Sequence, residues 1–196
     1  TKKYEHFPKN EKFISWQKFS KNDKNTKLEE INNSKLGKDT PAVIIESGGT
    51  SGSPKKVVIQ NRAFILAAKQ ESIALKNLKE GDSCLAIMPN FHGFGLSVLM
   101  HTPLSLGCYT ILVPKFNAQK FDTLFKKTKP TCVLGVPTLF DALIKCNNEK
   151  NLDLSYLKYI VSGGDILNAN LEKDINKYLK DHNANIKITQ GYGMSE

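Results

Sequence analysis

The sequence predicts an α/β fold, a mostly parallel sheet covered by helices on both faces, and three observations carry that reading. Short apolar segments at 84–88, 109–113, 131–134, 158–161 and 186–189 are spaced at the interval of a repeating strand–helix unit. Strands this apolar belong to sheets buried on both sides, which in practice are parallel sheets. The stretches between them carry apolar residues at helical spacing, as in Leu139, Phe140, Leu143 and Ile144 or Leu171, Ile175, Tyr178 and Leu179. Glycine-rich turns follow the apolar segments, and the carboxyl ends of strands are where such sheets bind ligands.

Taken in order, residues 1–40 form a polar N-terminal segment rich in Lys and Asn. One amphipathic fragment (Phe13, Ile14, Trp16, Phe19) predicts a short helix followed by loop. Residues 41–196 form the α/β unit, and Asp39-Thr40-Pro41 leads into a first strand at 42–45, with a second at 57–59. Asn61 is the expected N-cap of a helix over 62–79 bearing Phe64, Ala68, Leu75 and Leu78, which Glu80-Gly81-Asp82 breaks. Beyond the strand at 84–88, a helix over 95–106 stops at Gly107, and Asn117 caps a helix carrying Phe121, Leu124 and Phe125. Pro137 opens the next helix after the strand at 131–134, because its fixed φ and missing N–H suit a first helical turn. The strand at 158–161, a helix through Leu171 and Leu179 and a last strand at 186–189 complete the series.

Composition narrows the function. An apolar share of 40% and a charged share of 24% over 196 residues describe an ordinary globular domain with ample core. The net charge of +9 invites nucleic acid, but Arg62 is the lone arginine among the 28 basic residues. Base readers and phosphate clamps favour the planar arginine fork, and here scattered lysines lie among Asp and Glu. No nucleic-acid partner is expected. Cys84, Cys108, Cys132 and Cys146 form no Cys-x-x-Cys pair and sit in or beside apolar runs, which reads as buried, reduced thiols of a cytoplasmic protein. Residues 83–114 carry no Lys, Arg, Asp or Glu, yet Pro89, Pro103 and Gly107 interrupt them, so strand, helix and strand are expected and no transmembrane segment.

The most informative stretch is Ser47-Gly48-Gly49-Thr50-Ser51-Gly52-Ser53-Pro54-Lys55-Lys56. Glycines let backbone N–H groups approach an anion, hydroxyls add adjustable donors, and a lysine adds a point charge. This inventory suits a polyphosphate. It is not a Walker loop, because Lys55 follows a proline and Gly52 does not precede a Lys-Ser pair. A plain Gly/Ser turn between strands is the alternative.

The stretch resembles the phosphate-binding loop of the AMP-forming adenylating enzymes, which include acyl-CoA synthetases and peptide-synthetase adenylation domains. Gly48 and Lys56 depart from the family's Thr-Ser-Gly-Ser/Thr-Thr-Gly-x-Pro-Lys-Gly pattern. Four more segments resemble family motifs in the family's order: Pro89-Asn90-Phe91-His92-Gly93-Phe94-Gly95, Gly135-Val136-Pro137-Thr138, Ser162-Gly163-Gly164 and Gln190-Gly191-Tyr192-Gly193-Met194-Ser195-Glu196. Together they cover 43–196, and chance turns would not assemble that series.

The resemblance implies a partial N-terminal domain of an adenylate-forming enzyme and a role for each motif. Ser47, Gly48, Gly49, Thr50, Ser51, Gly52 and Lys55 would hold the ATP phosphates. Gly163 and Gly164 would lie against adenine, with Gly191, Tyr192 and Gly193 beside it. Lys55, Ser195 and Glu196 would serve catalysis, Glu196 as ligand to Mg2+. His92, Gly93 and Phe94 would line the acid pocket, His92 as lining and not as a base. Amino-acid-activating relatives commonly place Asp at that position, so a fatty or aryl acid is expected, with coenzyme A as acceptor. Asp165 replaces the family's usual Ala. The later family motif Tyr-x-Thr-Gly-Asp has no match, so the segment is expected to be C-terminally incomplete and inactive alone. An amino-acid adenylation domain and a catalytically degenerate nucleotide-binding module are the alternatives.

Overall fold

The computed structural model describes residues 36–47, 55–146, 149 and 151–195. The expected N-terminal helix around Phe13 and Trp16 lies outside them. The chain divides into two compact units, Thr1–Gly37 and Lys38–Glu196. The second unit opens with an antiparallel hairpin of β1 (Pro41–Ser47) and β2 (Lys55–Gln60), which forms a sheet of its own. Helix α1 (Asn61–Ala74) follows directly. Then come β3 (Ser83–Ala86), a π-helix (Phe94–His101) continued by α2 (Thr102–Ser105), and β4 (Tyr109–Leu112). A 3-10 turn (Ala118–Lys120) leads into α3 (Phe121–Thr128), followed by β5 (Cys132–Gly135), α4 (Pro137–Lys145), β6 (Tyr159–Ser162), α5 (Ala169–Asp181) and β7 (Thr189–Gln190). No helix among the described residues is long and apolar enough to cross a membrane.

The second sheet has five strands in the order β4-β3-β5-β6-β7, and every neighbouring pair is parallel. From β3 the chain moves outward to β4, then crosses back to place β5, β6 and β7 on the other side of β3. The winding therefore reverses between β3 and β5, and a crevice opens at the carboxyl ends where winding reverses.

Strand alternation divides the core into two layers. Leu85, Val133 and Ile160 face Phe121, Phe125, Phe140, Leu143, Ile175 and Leu179 from α3, α4 and α5. Cys84, Ala86, Cys132 and Leu134 face the other way, against Leu99 of the π-helix. The expected helices on both faces are thus present. Phe121 and Phe125 are fully buried and meet edge-on at 5.0 Å, an arrangement worth about 1 kcal/mol beyond their burial.

The cysteine spacing reports this layering. Cys84 and Cys132 are register partners on adjacent strands, both buried as free thiols, whereas Cys146 is only half-buried. The contact with Cys84 and then burial push the Cys132 thiol well up, so it stays protonated.

Four local expectations change. Gln60, not Asn61, is the cap residue of α1, and no side chain caps it. The first amides are satisfied by backbone instead: Asn61 N–H donates to Thr40 O at 3.0 Å and Arg62 N–H to Lys38 O at 2.9 Å. The same helix ends at Ala74, short of residue 79, and the Lys79 amide donates to the Asp82 carboxylate at 2.7 Å. Strand β7 is shorter than expected because Ile188 N–H donates to the Asn176 side chain on α5, at 2.9 Å, and not to β6. Asn117 does cap, accepting from Gln119 N–H at 3.0 Å, but what it caps is the 3-10 turn that leads into α3, whose own cap residue is Lys120.

A polar staple ties the amino ends of the strands. Asp82, just before β3, accepts from Lys158 Nζ at 2.7 and 2.8 Å, and Lys158 stands just before β6 with β5 between them. Burial disfavours the charged Asp82, but the Lys158 contact and the Lys79 amide outweigh it and hold the carboxyl below its ordinary range. A depressed carboxyl stabilises the fold above the unfolded-state value, about pH 4, and that stability is lost as pH falls through the folded value. Asp82→Asn is expected to cost about 1–2 kcal/mol near neutral pH, because Lys158 keeps part of its hydration. Urea titrations at neutral and acidic pH should show the deficit shrinking as pH falls. An equal deficit at every pH would contradict this assignment.

Candidate functional site

Four segments leave the carboxyl ends of β3, β5, β6 and β7 on one side of the sheet, and backbone bonds join three of them. Gly163 N–H donates to Gly135 O at 2.8 Å, and Gly191 N–H donates to Ser162 O at 2.8 Å. Glycine shapes the crevice between them. A Cβ on Gly163 would lie 3.2 Å from Gly191 O and 3.5 Å from the Phe94 ring. A Cβ on Gly164 would lie 3.3 Å from Val136 Cγ1, and its φ of +77° already disfavours any side chain. Gly163 is thereby buried under Phe94 and the loop after β7, while Gly164 is exposed, and the turn presents bare peptide where a side chain would otherwise stand.

The β3 segment is ordered by its own backbone. His92 N–H donates to Pro89 O at 3.1 Å, and His92 Nδ1 accepts from Phe94 N–H at 3.2 Å. With Nδ1 engaged as acceptor, the neutral ring carries its proton on Nε2 and can present a donor there. Gly93 is where three segments meet: a Cβ on it would lie 3.9 Å from Ser195 Oγ and 4.0 Å from Ile45 Cδ1 of β1. The π-helix then starts at Phe94, a rare geometry that tends to occur at functional sites.

The hairpin brings the two ends of the glycine-rich loop together. Ser47 and Lys55 are register partners, and Lys56 stands opposite Glu46, a favourable cross-strand pairing for the lysine that departs from the family pattern. Gly48, Gly49, Thr50, Ser51 and Gly52 lie outside the described residues, as does Glu196. Gly191, Tyr192 and Gly193 are all exposed, and Tyr192 at 91% exposure is no core residue. Asp165 turns its carboxylate on its own loop, accepting from Ile166 N–H at 2.7 Å, so this departure is locally satisfied. Among the described residues no three His, Cys, Asp or Glu side chains converge as a metal site.

A family model described as AMP-binding enzyme matches residues 3–196 of this chain. The chain belongs to the AMP-binding enzyme family. A long-chain-fatty-acid–CoA ligase of Bacillus subtilis is 31% identical over 79% of the chain. A 4-coumarate–CoA ligase of Humulus lupulus is 29% identical over 83% of it. The inhibitor-bound N-terminal domain of FACL13 from Mycobacterium tuberculosis superposes with a TM-score of 0.72 at 25% identity, matching 83% of this chain and 39% of that one. The chain spans 27% and 29% of the two curated relatives' lengths.

A reading by motif misses one site residue and the role of another. Ile45, 2% exposed, packs toward Gly93, and the alternation Val43, Ile45 in β1 was its signal. Gly135 accepts the Gly163 amide, and a Cβ on it would collide with Leu139 Cδ2. The motif contained Gly135, but its contact with Gly163 arises only once β5 and β6 pair.

Proposed function

We propose that the natural protein carrying this segment activates a fatty or aryl carboxylic acid with ATP and transfers the acyl group to coenzyme A. The observation that carries this reading is the Gly163-Gly164 turn, free of side chains and packed against Phe94, within a chain of the AMP-binding family. Adenine lies on Gly163 and Gly164, with Tyr192 free to cover its other face and Gly191 and Gly193 allowing close approach. Ser47, the loop 48–52 and Lys55 hold the phosphates, and the Ser195 hydroxyl serves the α-phosphate. Glu196 would hold Mg2+, a hard cation that suits carboxylate and phosphate oxygens and would offset charge on the phosphates. The acid lies along His92, Gly93 and Phe94, where His92 Nε2–H can donate to a carboxylate oxygen.

A carboxylate oxygen of the acid attacks the α-phosphorus, the bond to the β-phosphate oxygen breaks, and pyrophosphate leaves. The coenzyme A thiolate then attacks the acyl carbon and AMP leaves. The protein's part is positioning and charge stabilisation, so a rigid glycine-walled crevice is a suitable device. The absence of a carboxylate at His92 supports a substrate without an α-ammonium group, since a desolvated cation needs a partner. The buried free thiols support a reducing, cytoplasmic setting.

Thioester formation by the natural chain, measured over fatty, aryl and amino acids with ATP and coenzyme A, tests this reading. Thioesters with fatty or aryl acids are expected. Adenylation of amino acids alone would overturn the substrate class, and adenylation without thioester would overturn the acceptor.

A further inference from the structure

At the β4 edge of the sheet, a recess of about 390 Å3 opens at the carboxyl ends of β3 and β4. Its floor is the last pairing of those strands, where Ala86 stands opposite Leu112 and Val113 N–H donates to Ala86 O at 3.2 Å. Phe116 makes a fixed wall, because its ring meets the fully buried Phe121 ring edge-on at 5.0 Å. The lining holds one polar side chain, Asn90, and no charged one. Two of the lining residues, Phe91 and Leu112, are 84% and 53% exposed. Large apolar side chains left in water around an apolar recess mark a surface that a ligand covers.

One turn joins this recess to the candidate site. His92 N–H donates to Pro89 O at 3.1 Å, which closes Pro89-Asn90-Phe91-His92 as a four-residue turn. Pro89, Asn90 and Phe91 line the recess, and His92 is the next residue, beside the Gly93 that Ser195 and Ile45 approach. A ligand with its carboxylate at His92 therefore needs to pass only Phe91 to enter.

Size and polarity narrow the class of that ligand. A cavity of about 150 Å3 holds a benzene ring, so a single aromatic ring would leave more than half of this recess unfilled. A methylene takes roughly the room of a liquid water, about 30 Å3, so the same space takes on the order of ten methylenes. A hydroxylated ring would also bring a polar group that only the Asn90 side chain could meet, whereas an alkyl chain needs no partner.

We propose that this recess holds the alkyl tail of the acid, so that the natural protein prefers unbranched fatty acids of on the order of ten carbons to aryl acids. This inference rests on the function proposed above and names the substrate class within it.

The test is a chain-length series of saturated acids, from butyrate to tetradecanoate, given to the natural chain with ATP and coenzyme A. Each added methylene is expected to raise kcat/KM about two- to fourfold, levelling off at on the order of ten carbons. Val113→Trp fills the floor, and Leu112→Trp, at a half-exposed position, is the second variant should Val113→Trp fail to fold. Either should raise KM for dodecanoate about tenfold and change KM for butyrate less than about twofold. A flat series, or tryptophan variants that affect both acids equally, overturns the tail site. Turnover of aryl acids with no gain from chain length also overturns it, and leaves the proposed function standing. Direct titration of dodecanoate and butyrate, with a non-hydrolysable ATP analogue present, separates the two readings. Dodecanoate binding that exceeds butyrate binding and is lost in the tryptophan variants, in a protein that forms no adenylate, would support the recess while sinking the proposed function. No dodecanoate binding and no turnover would overturn both.

Discussion

Gly95→Ala is expected to destabilise the domain by about 3 kcal/mol or more, enough to abolish most folded protein at physiological temperature. A Cβ on Gly95 would overlap Pro89 O outright and lie 2.6 Å from Pro89 C and 2.9 Å from Met88 O. All three are backbone atoms that cannot swing aside, and Pro89 O already accepts from His92 N–H at 3.1 Å. Relief would require moving the β3 segment or the first turn of the π-helix. Gly193→Ala is the matched control, since nothing lies within 4 Å of a Cβ there. Thermal melting of the natural chain checks the pair. A Gly95→Ala variant that melts within a degree or two of the parent would show that the π-helix does not press on the β3 segment this closely.

The second large effect falls on binding. Gly163→Ala is expected to weaken ATP about tenfold or more, about 1.4 kcal/mol, while costing the fold less than about 1 kcal/mol. Its Cβ would lie 3.2 Å from Gly191 O, on an exposed loop that can give a few tenths of an ångström, and 3.5 Å from the Phe94 ring. The added methyl therefore pushes the loop after β7 and the Phe94 ring away from the turn without breaking the core behind it. Calorimetric titration with a non-hydrolysable ATP analogue would decide, and affinity within twofold of the parent would remove adenine from this crevice.

Much of this architecture was legible because parallel strands and their covering helices each carry a strong period. The runs at Cys84 and Cys132 proved to be neighbouring strands in register, and both faces of the sheet were covered as their apolar character required. Order along the chain could not give strand order in space, so neither the reversal between β3 and β5 nor the separate hairpin sheet was readable. Caps failed where backbone replaced side chain, as at Asn61, whose amide reaches Thr40 O. The π-helix was invisible for a physical reason: Phe94–His101 has the composition of any apolar helix, and its register depends on contacts with Pro89 and α1.

The site divides in the same way. Its glycines and hydroxyls stood out in the motifs, since close approach and phosphate contact restrict residue type. Its supports did not, because Ile45 against Gly93 and the Gly163 amide on Gly135 O join residues distant in sequence. Contacts of that kind leave no periodic signature.

Adenylation of a carboxylic acid in this crevice is tested most directly by carboxylate-dependent exchange of pyrophosphate into ATP, catalysed by the natural chain containing this segment. Exchange that requires a fatty or aryl acid, and disappears in Gly163→Ala, is the expected result. No exchange with any acid, in a protein that still binds ATP, would contradict adenylation here and leave a nucleotide-binding module without catalysis.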